Sequence, residues 1–202
     1  MIEVIREGAL WRVVLNRPEK AYSLTRTMLL DLAEVAEAAA GVAKAFVLTG
    51  TGKVFSAGAD LEEARAGLAL DPVWERLSGA IAALPCLTIA ALNGTLAGGA
   101  FGMVLACDIR VCVPEAKFFY PVMKLGFLPQ PSDPGRLRAL VGPSRAKLVL
   151  MGGRKLPADQ ALASGLVDAV VPGDALEAHV ADLCAAALGA KAAHIAAIKA
   201  MI

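Results

Sequence analysis

Residues 45–60 read AFVLTGTGKVFSAGAD, and residues 86–102 follow the same plan as CLTIAALNGTLAGGAFG. Each stretch opens on a short and almost continuous apolar run, which is typical of a strand buried on both faces of a parallel sheet. A turn signal closes each run, at residues 49–52 and at residues 93–94, before a second segment of small residues. The recurrence predicts two successive units of one α/β core, each ending in a turn where small residues expose the main chain.

Strand and helix patterns also alternate around these two stretches. Residues 2–5 and 11–15 are predicted to form a hairpin, because two short apolar or alternating runs flank a turn signal. The elements predicted after it are a helix that Thr25 caps and Gly41 ends, a strand at 45–48, a helix at about 72–84, a strand at 86–92, a helix opening near Gly98 and a strand at 108–113. This order predicts an α/β layered core whose parallel strands are joined by helical crossovers.

The pattern becomes mostly helical from Ser132 onward. Helices are predicted at 143–151, 157–164 and 174–188, with one strand at 166–171. No segment is rich enough in Gly, Ser or Pro to divide the chain. The sequence therefore predicts a single domain over residues 1–202, with an α/β core over 1–131 and a mainly helical region over 132–202.

Composition and charge argue against several classes of protein. The chain has 202 residues, 57% of them hydrophobic, which is enough to bury a substantial core. Twenty Lys and Arg against nineteen Asp and Glu favour neither a nucleic acid nor an anionic membrane as partner. Polar residues interrupt the apolar stretches before the ~20 residues that a bilayer span needs. The first residues lack the pattern of a secretory signal, so we expect a cytoplasmic protein.

The cysteines suggest neither a metal site nor disulfides. They are Cys86, Cys107, Cys112 and Cys184. No two of them form a C-x-x-C pair, and no histidine lies at a matching spacing. Buried reduced thiols are predicted, and neither a metal nor a cofactor is expected.

The segments 55–60 and 97–102 are candidate sites built from the backbone. Two glycines that open a helix, Gly98 and Gly99, leave unpaired N–H groups in front of the positive end of the helix dipole. If the first segment offers a second N–H toward the same point, the pair can hold a carbonyl oxygen and stabilise the charge that grows on it. The alternative is that these glycines only serve tight turns. A phosphate-binding P-loop is disfavoured, because Lys53 is followed by Val rather than Ser or Thr.

Three longer segments carry a resemblance to a known family: residues 15–20 (LNRPEK), 47–60 and 91–108. In order and spacing they resemble the signatures of the crotonase, or enoyl-CoA hydratase/isomerase, superfamily, and weaker matches extend the resemblance over nearly the whole chain. The resemblance implies a spiral of ββα units with a mostly helical C-terminal part, assembled as a trimer or a hexamer. It also implies that the chain binds acyl-CoA thioesters, with the coenzyme A thioester as substrate rather than cofactor.

The resemblance assigns roles to individual positions. The two oxyanion-hole N–H groups fall on Ala59 and Gly99, in the turns that the residue pattern singles out. Ala57 resembles the position whose backbone carbonyl receives the amino group of adenine. Further candidates for binding coenzyme A or the acyl group are Lys20, Ala21, Tyr22, Asp60 and Leu61. Lys20 can also be an ordinary solvated lysine, and Asp60 a structural or solvent-facing residue.

Both glutamates that the hydratases of this family use are replaced. Gly102 stands at the position of the first glutamate, and Val122 stands at the position of the second. Hydration needs one group to activate water and another to deliver a proton to the α-carbon, and neither Gly nor Val can hold a proton. Ordinary hydratase activity is therefore not expected.

Three other side chains are candidates for the missing acid–base chemistry. Gln130 matches the position where some isomerases and dehalogenases of the superfamily place a carboxylate, but an amide is neither a general base nor a nucleophile. Asp133 is the nearest remaining carboxylate. The favoured alternative for it is helix capping, by Ser132 or Asp133 with Pro134 at the first helical position. Tyr120 can supply a phenol, or it can be an ordinary half-buried aromatic residue in a strand.

Three functions remain open. The first is an enzyme that acts on an acyl-CoA through the oxyanion hole and a proton relay without glutamate, which a perturbed Asp133 in the pocket would favour. The second is decarboxylation of a malonyl-type thioester, favoured by an apolar pocket with Tyr120 or a basic residue that binds a carboxylate. The third is a non-catalytic binder of CoA esters, favoured by a pocket filled with Phe101, Met103 or Met123. Family members usually continue for several helical turns beyond Lys199, which predicts a site that is more open here or covered by a neighbouring subunit.

Overall fold

A computed structural model describes residues 1–202, with ten strands and nine α-helices. The strands are β1 (Ile2–Glu7), β2 (Leu10–Leu15), β3 (Ala45–Gly50), β4 (Val54–Ser56), β5 (Leu87–Leu92), β6 (Thr95–Ala97), β7 (Ile109–Cys112), β8 (Lys117–Phe119), β9 (Leu156–Pro157) and β10 (Ala169–Val170). The helices are α1 (Arg26–Ala39), α2 (Leu61–Arg65), α3 (Val73–Ala82), α4 (Phe101–Leu105), α5 (Val122–Leu125), α6 (Asp133–Leu150), α7 (Ala158–Ser164), α8 (Leu176–Gly189) and α9 (Ala192–Lys199). Short 3-10 turns lie at Pro18–Lys20, Leu68–Leu70 and Gly98–Ala100.

The strands form two sheets that the chain visits in turn. The larger sheet has the order β1-β2-β3-β5-β7-β10, and the smaller has the order β4-β6-β8-β9. After the hairpin, each unit places one strand in the larger sheet and the next in the smaller sheet before its helix. Pairing is parallel except for β1 with β2 and β8 with β9. The predicted alternation of parallel strands and helical crossovers is therefore found, within a spiral of two sheets rather than one.

The start of α1 shows how local sequence sets these elements. The hydroxyl of Thr25 accepts a hydrogen bond from the N–H of Met28 at 3.2 Å, which caps the helix as predicted. The apolar residues at three- and four-residue intervals are buried on one face. Gly41 follows the helix with φ +76°, a left-handed conformation that glycine adopts without strain.

One predicted element differs in the structure. Strand β10 covers only two residues of the predicted strand at 166–171, because the N–H of Leu166 donates to the carbonyl of Ala161 and closes the end of α7. Helix α6 is kinked at Gly142, where φ is +77°, and the segment after the kink is the helix predicted at 143–151, which ends at Leu150. The mainly helical character predicted for residues 132–202 is otherwise found.

All four cysteines are buried and unbonded, as predicted. Desolvation raises the pKa of Cys86 to about 11 and that of Cys107 to about 12, so these thiols stay protonated at neutral pH. No single helix combines the length and the apolar composition needed to cross a membrane. Helices α8 and α9 reach that composition only when they are taken together across a bend of 108°.

Candidate active site

The two turns that the sequence singles out are in contact. The first follows β4 and the second follows β6, the parallel neighbour of β4. Gly58 has φ +92°, and a Cβ atom there would lie 2.9 Å from the carbonyl oxygen of Ala97 and 3.2 Å from the Cα atom of Gly98. Gly98 is also left-handed, with φ +58°. The close approach of the two main chains therefore depends on glycine at position 58, and the left-handed backbone favours glycine at position 98.

Ala59 and Gly99 each present a main-chain N–H that is free of partners within the chain. The N–H of Leu24 donates to Gly58 and its carbonyl accepts from Asp60, both at 2.8 Å, so the N–H of Ala59 lies on the side of the turn away from Leu24. Gly99 lies in the first turn of the helical segment that leads into α4, where N–H groups have no acceptor within the helix. Two free N–H groups beside one cavity are what an oxyanion hole requires.

A cavity of about 330 Å³ opens beside these N–H groups. The predicted site residues that line it are Ala57, Ala59, Leu61, Gly99, Tyr120 and Gln130. Most of the remaining wall is apolar and comes from α2, α5 and the loop after α5. Trp74 packs against Gly99, where a Cβ atom would lie 3.1 Å from its ring, and its indole N–H donates to the carbonyl of Leu68 at 2.7 Å. The cavity thus has the apolar walls and few polar groups that are typical of a small-molecule site.

Tyr120, which lines the cavity, is hydrogen-bonded to Asp133, which lies behind the cavity wall. The phenol of Tyr120 donates to Oδ2 of Asp133 at 2.8 Å, and its ring stacks on Phe101 with the centroids 5.3 Å apart. Both members of the pair are buried. Burial raises the pKa of Tyr120 far above its usual range, and the Asp133 carboxylate adds to the rise. Tyr120 therefore stays a protonated phenol, able to donate a hydrogen bond.

The Asp133 carboxyl group occupies the space beside Gly102. A Cβ atom on Gly102 would lie 2.9 Å from Oδ1 of Asp133, and that oxygen has no hydrogen-bond partner in the chain. Burial raises the pKa of Asp133 to about 7; the hydrogen bond from Tyr120 opposes this rise, and the nearby Glu75 carboxylate adds to it. A carboxyl group with this pKa can gain and lose a proton near neutral pH, and it lies in the space beside Gly102.

The prediction of an N-cap at Ser132 or Asp133 is confirmed in position, but the capping hydrogen bond is not formed. Ser132 occupies the N-cap position, but its side chain makes no capping hydrogen bond, and the Asp133 carboxyl points inward to Tyr120. Glu75 accepts instead from the N–H of Ser132 at 3.0 Å and from its hydroxyl at 2.5 Å. These bonds tie the first turn of α6 to α3 and thereby fix the position of Asp133.

Gln130 lies at the cavity wall and is held in place by two hydrogen bonds. Its side-chain amide donates to the carbonyl of Ala69 at 2.9 Å, and its backbone N–H donates to the phenol oxygen of Tyr120 at 3.3 Å. Gln130 therefore positions the Tyr120 phenol and the segment around Ala69. It offers neither a base nor a nucleophile to the cavity.

The turn predicted to line the coenzyme A channel lies beside the first oxyanion turn. The N–H of Ala57 donates to the carbonyl of Ala21 at 3.1 Å, and the hydroxyl of Ser56 donates to the carbonyl of Tyr22 at 2.8 Å. Ala21 and Tyr22 are the two non-glycine residues with positive φ, at 50° and 57°. Lys20 and Ala21 are exposed, and Tyr22 is buried. Lys20, Ala21 and Ala57 are thus placed at the surface next to the cavity.

Asp60 has a structural role in this region. It forms an ion pair with Arg17 at 2.9 Å, and its other carboxylate oxygen accepts from the N–H of Glu62 at 3.1 Å at the start of α2. Both charges of the pair are largely shielded from solvent. These contacts match the structural alternative for Asp60, and they anchor the helix whose first residue, Leu61, lines the cavity.

Three residues near the site were not identified from the sequence. Trp74 and Glu75 lie on a helix predicted only as a crossover, and Arg65 follows the first oxyanion turn by six positions. Arg65 was within reach of sequence reasoning, because the short helix α2 continues directly from the segment that carries Ala59. The partners of Trp74 and Glu75 come from distant segments of the chain, so no local pattern reveals them.

The chain resembles proteins named as enoyl-CoA hydratases both in sequence and in fold. A sequence model of the family described as "Enoyl-CoA hydratase/isomerase" matches residues 6–202. A Mycobacterium tuberculosis protein named "Probable enoyl-CoA hydratase echA6" is 35% identical over 172 residues, which cover 84% of this chain and 70% of that protein. A Thermus thermophilus protein named "Putative enoyl-CoA hydratase" is 38% identical over 189 residues, or 86% of this chain and 72% of that protein.

Solved structures give the same result. An "enoyl-CoA hydratase/carnithine racemase" from Magnetospirillum magneticum superposes with a TM-score of 0.91 at 32% identity, covering 99% of this chain and 79% of that chain. A "putative enoyl-CoA hydratase" from Thermobifida fusca, crystallised in complex with CoA, superposes with a TM-score of 0.89 at 29% identity over 98% of this chain and 82% of that one. The predicted fold class, an α/β crotonase-like spiral with a mostly helical C-terminal part, is confirmed by these matches.

Proposed function

The chain belongs to the enoyl-CoA hydratase/isomerase family, and on that premise we propose that it forms an enolate from an acyl-CoA thioester, with Tyr120 and Asp133 in place of the hydratase glutamates. The observation that carries the proposal is the 2.8 Å hydrogen bond from Tyr120, at the cavity wall, to a carboxyl group that fills the space beside Gly102. The solved relative from Thermobifida fusca that contains CoA supports a derivative of coenzyme A as the ligand.

The oxyanion turns supply the electrostatic part of the reaction. The thioester oxygen accepts hydrogen bonds from the N–H groups of Ala59 and Gly99. When a proton leaves the α-carbon, negative charge moves onto this oxygen, and two fixed N–H donors stabilise it without reorganisation. Removing one such donor from an oxyanion hole typically costs about 3 kcal/mol of transition-state stabilisation.

Tyr120 and Asp133 supply the proton transfer. In the forward direction the phenol oxygen of Tyr120 takes the α-proton while its own proton passes to Oδ2 of Asp133. The C–H electron pair becomes the C=C bond of the enolate, and the products are an enolate, a neutral phenol and a neutral carboxyl group. In the reverse direction the same relay returns a proton to carbon. A carboxyl pKa of about 7 suits both directions, because general acid–base catalysis is most efficient when the pKa lies near the working pH.

This chemistry favours an isomerase- or lyase-type reaction over hydration. Gly102 and Val122 offer no group that activates water. A purely binding role has less support, because Phe101 and Met103 lie in the core and the side chain of Met123 is 63% exposed. None of these last three residues lines the cavity, which stays open to a ligand.

Exchange of α-hydrogens tests the proposal whichever overall reaction the protein catalyses. Butyryl-CoA is incubated with the protein in D2O and its deuterium incorporation is followed by mass spectrometry, while crotonyl-CoA is incubated separately to test for hydration. We expect exchange in the wild type and no 3-hydroxybutyryl-CoA. Tyr120→Phe and Asp133→Asn are expected to slow exchange by about a hundredfold or more, the usual contribution of a positioned acid–base group.

A matched control comes from a carboxylate elsewhere on the surface. Asp174→Asn removes the same charge from an exposed residue before α8 and should leave exchange unchanged. Exchange that survives in Tyr120→Phe and Asp133→Asn would contradict the proton relay. Rapid hydration of crotonyl-CoA by the wild type would contradict the assignment against a hydratase.

Decarboxylation of a malonyl-type thioester is the second candidate. It uses the same oxyanion hole and makes a smaller demand on a base, since CO2 leaves with its carbon and only the enolate must be protonated. The observation in its favour is a basic residue, Arg65, at the wall of an apolar cavity that also contains Tyr120. Loss of CO2 from methylmalonyl-CoA, detected as propionyl-CoA by mass spectrometry, would select this candidate.

A further inference from the structure

Arg65 is the only charged residue among those that line the cavity. It is the last residue of α2, and its side chain is exposed. The guanidinium group takes part in none of the seven ion pairs of the chain, which engage Arg12, Arg17, Arg26, Arg76, Arg110 and Lys199. An arginine with five N–H donors and no anionic partner therefore stands at the wall of an otherwise apolar pocket.

Arg65 lines the same cavity as the two N–H groups that are proposed to hold the thioester oxygen. The chain passes from Ala57, on the side assigned to adenine, through Ala59 and into α2. Leu61, Ala64 and Arg65 then line the cavity in succession along this helix. Four residues of helix carry the chain about 6 Å beyond Leu61. An acyl group whose thioester oxygen is held at Ala59 and that runs along α2 would bring its far end to Arg65.

Arg65 is the only charged residue lining the cavity that could form an ion pair with a carboxylate at the far end of the acyl group. Buried apolar walls such as those given by Trp74 and Val122 penalise an unpaired charge, because they replace its hydration with nothing that can hydrogen-bond. A guanidinium group offsets this penalty with two parallel hydrogen bonds to a carboxylate. Accepting the acyl-CoA binding proposed above, we infer that the substrate is the monothioester of a short dicarboxylic acid and that Arg65 binds its free carboxylate.

A matched pair of esters tests this inference directly. Butyryl-CoA and succinyl-CoA have acyl chains of equal length and differ in the terminal methyl or carboxylate group. Isothermal titration is carried out with wild type, Arg65→Gln and Arg65→Lys. We expect Arg65→Gln to lower the affinity for succinyl-CoA by about tenfold or more, as for loss of a charge-assisted hydrogen bond. The affinity for butyryl-CoA should fall by less than about twofold. Arg65→Lys should bind succinyl-CoA more tightly than Arg65→Gln and less tightly than wild type, because lysine keeps the positive charge but cannot donate two parallel hydrogen bonds.

Arg154→Gln is the control for charge alone, since Arg154 is exposed and does not line the cavity. It should leave both affinities unchanged. If Arg65→Gln weakens the binding of both esters equally, the inference is overturned and Arg65 is placed against the phosphates of coenzyme A. S-succinyl-pantetheine, which lacks those phosphates, checks this contact. If Arg65→Gln also loses affinity for S-succinyl-pantetheine, the phosphate contact is excluded. Unchanged binding of succinyl-CoA would also overturn it. If wild type binds butyryl-CoA but not succinyl-CoA, this inference fails and the proposed function stands; if wild type binds neither ester, the proposed function itself fails.

Discussion

At the scale of single residues, Asp133 combines a structural cost with the chemical use proposed for it. Its carboxyl group is 1% exposed, receives one hydrogen bond from Tyr120 and has one oxygen without a partner. A buried carboxylate in this state is costly to ionise, which is why its pKa rises to about 7. Such costs are common at active sites, where a shifted pKa matches the group to proton transfer.

The raised pKa of Asp133 predicts a specific dependence of stability on pH. In the unfolded chain the carboxyl loses its proton near pH 4, whereas in the folded chain it keeps the proton up to about pH 7. The folded state therefore binds more protons in this window, and the free energy of unfolding falls as the pH rises through it. Three pKa units correspond to about 4 kcal/mol.

Urea unfolding of wild type and Asp133→Asn between pH 4 and pH 8 measures this effect. The amide cannot ionise, so we expect the variant to lose less stability than the wild type as the pH rises, with the difference developing between about pH 4 and pH 7. A difference between the two proteins that is constant over this range would show that Asp133 is ionised throughout in the folded state.

Glu75 is expected to tune Asp133 without touching the cavity. Burial is the main cause of the raised pKa of Asp133, and the negative charge of Glu75 adds to it. Glu75→Gln keeps an oxygen that can accept from Ser132 and removes the charge. We expect the variant to lower the pKa of Asp133, and a titration of 13C-labelled aspartate carboxyl groups by NMR measures the shift. A pKa of Asp133 that stays unchanged or rises in Glu75→Gln would contradict the electrostatic coupling.

At the scale of elements, the site depends on how closely two turns approach each other. Gly58→Ala would place a Cβ atom 2.9 Å from the carbonyl oxygen of Ala97 and would also strain a residue with φ +92°. We expect the variant to separate the turns that carry Ala59 and Gly99. The expected result is a stability loss of about 1–3 kcal/mol, as for an overpacked site, together with weaker binding of butyryl-CoA.

A control for backbone strain alone is Gly41→Ala. Gly41 has φ +76°, but a Cβ atom there would have no neighbour within 4 Å, and the residue lies after α1, outside the cavity. This variant should lose stability and keep its affinity for butyryl-CoA, as measured by urea unfolding and isothermal titration. Equal affinities in Gly58→Ala and wild type would mean that the contact between the two turns does not set the geometry of the oxyanion hole.

The elements that the sequence predicted well are those whose signals are local. Small residues after two buried runs predicted the turns at 55–60 and 97–102, because strand ends and glycine act over a few positions. For Asp133 the sequence favoured helix capping over a place in the site, because Ser-Asp-Pro is a strong local signal for a cap, and the phenol and carboxylate that override this signal come from Tyr120, after β8, and from Glu75 on α3. Contacts between segments far apart in sequence, such as Ser132 with Glu75, leave no local pattern.

At the scale of the whole molecule, the ββα spiral accounts for why the site lies where it does. Each unit sends one strand to the larger sheet and the next to the smaller sheet, so β4 and β6 lie side by side although α2, α3 and β5 separate them in sequence. The turns that follow these two strands are therefore adjacent, because β4 and β6 are parallel neighbours. Strand–helix alternation predicted an α/β core, but only the resemblance supplied the second sheet, because three-residue strands such as β4 are too short to show a period of their own.

The mouth of the cavity predicts that several chains associate. Four large apolar side chains that line it are exposed: Leu61 at 68%, Leu125 at 53%, Phe127 at 36% and Leu128 at 78%. A cluster of this kind is typical of a surface that another molecule covers, and the family resemblance implies a trimer or a hexamer. Light scattering is therefore expected to give a mass three or six times the 20.8 kDa of one chain.

Leu128→Gln should lower that mass if a neighbouring subunit covers the mouth of the cavity. Leu162→Gln, which changes an exposed leucine on α7 outside the cavity, should not lower it. A wild type that remains a monomer at all concentrations would contradict the prediction and leave the cavity open to solvent.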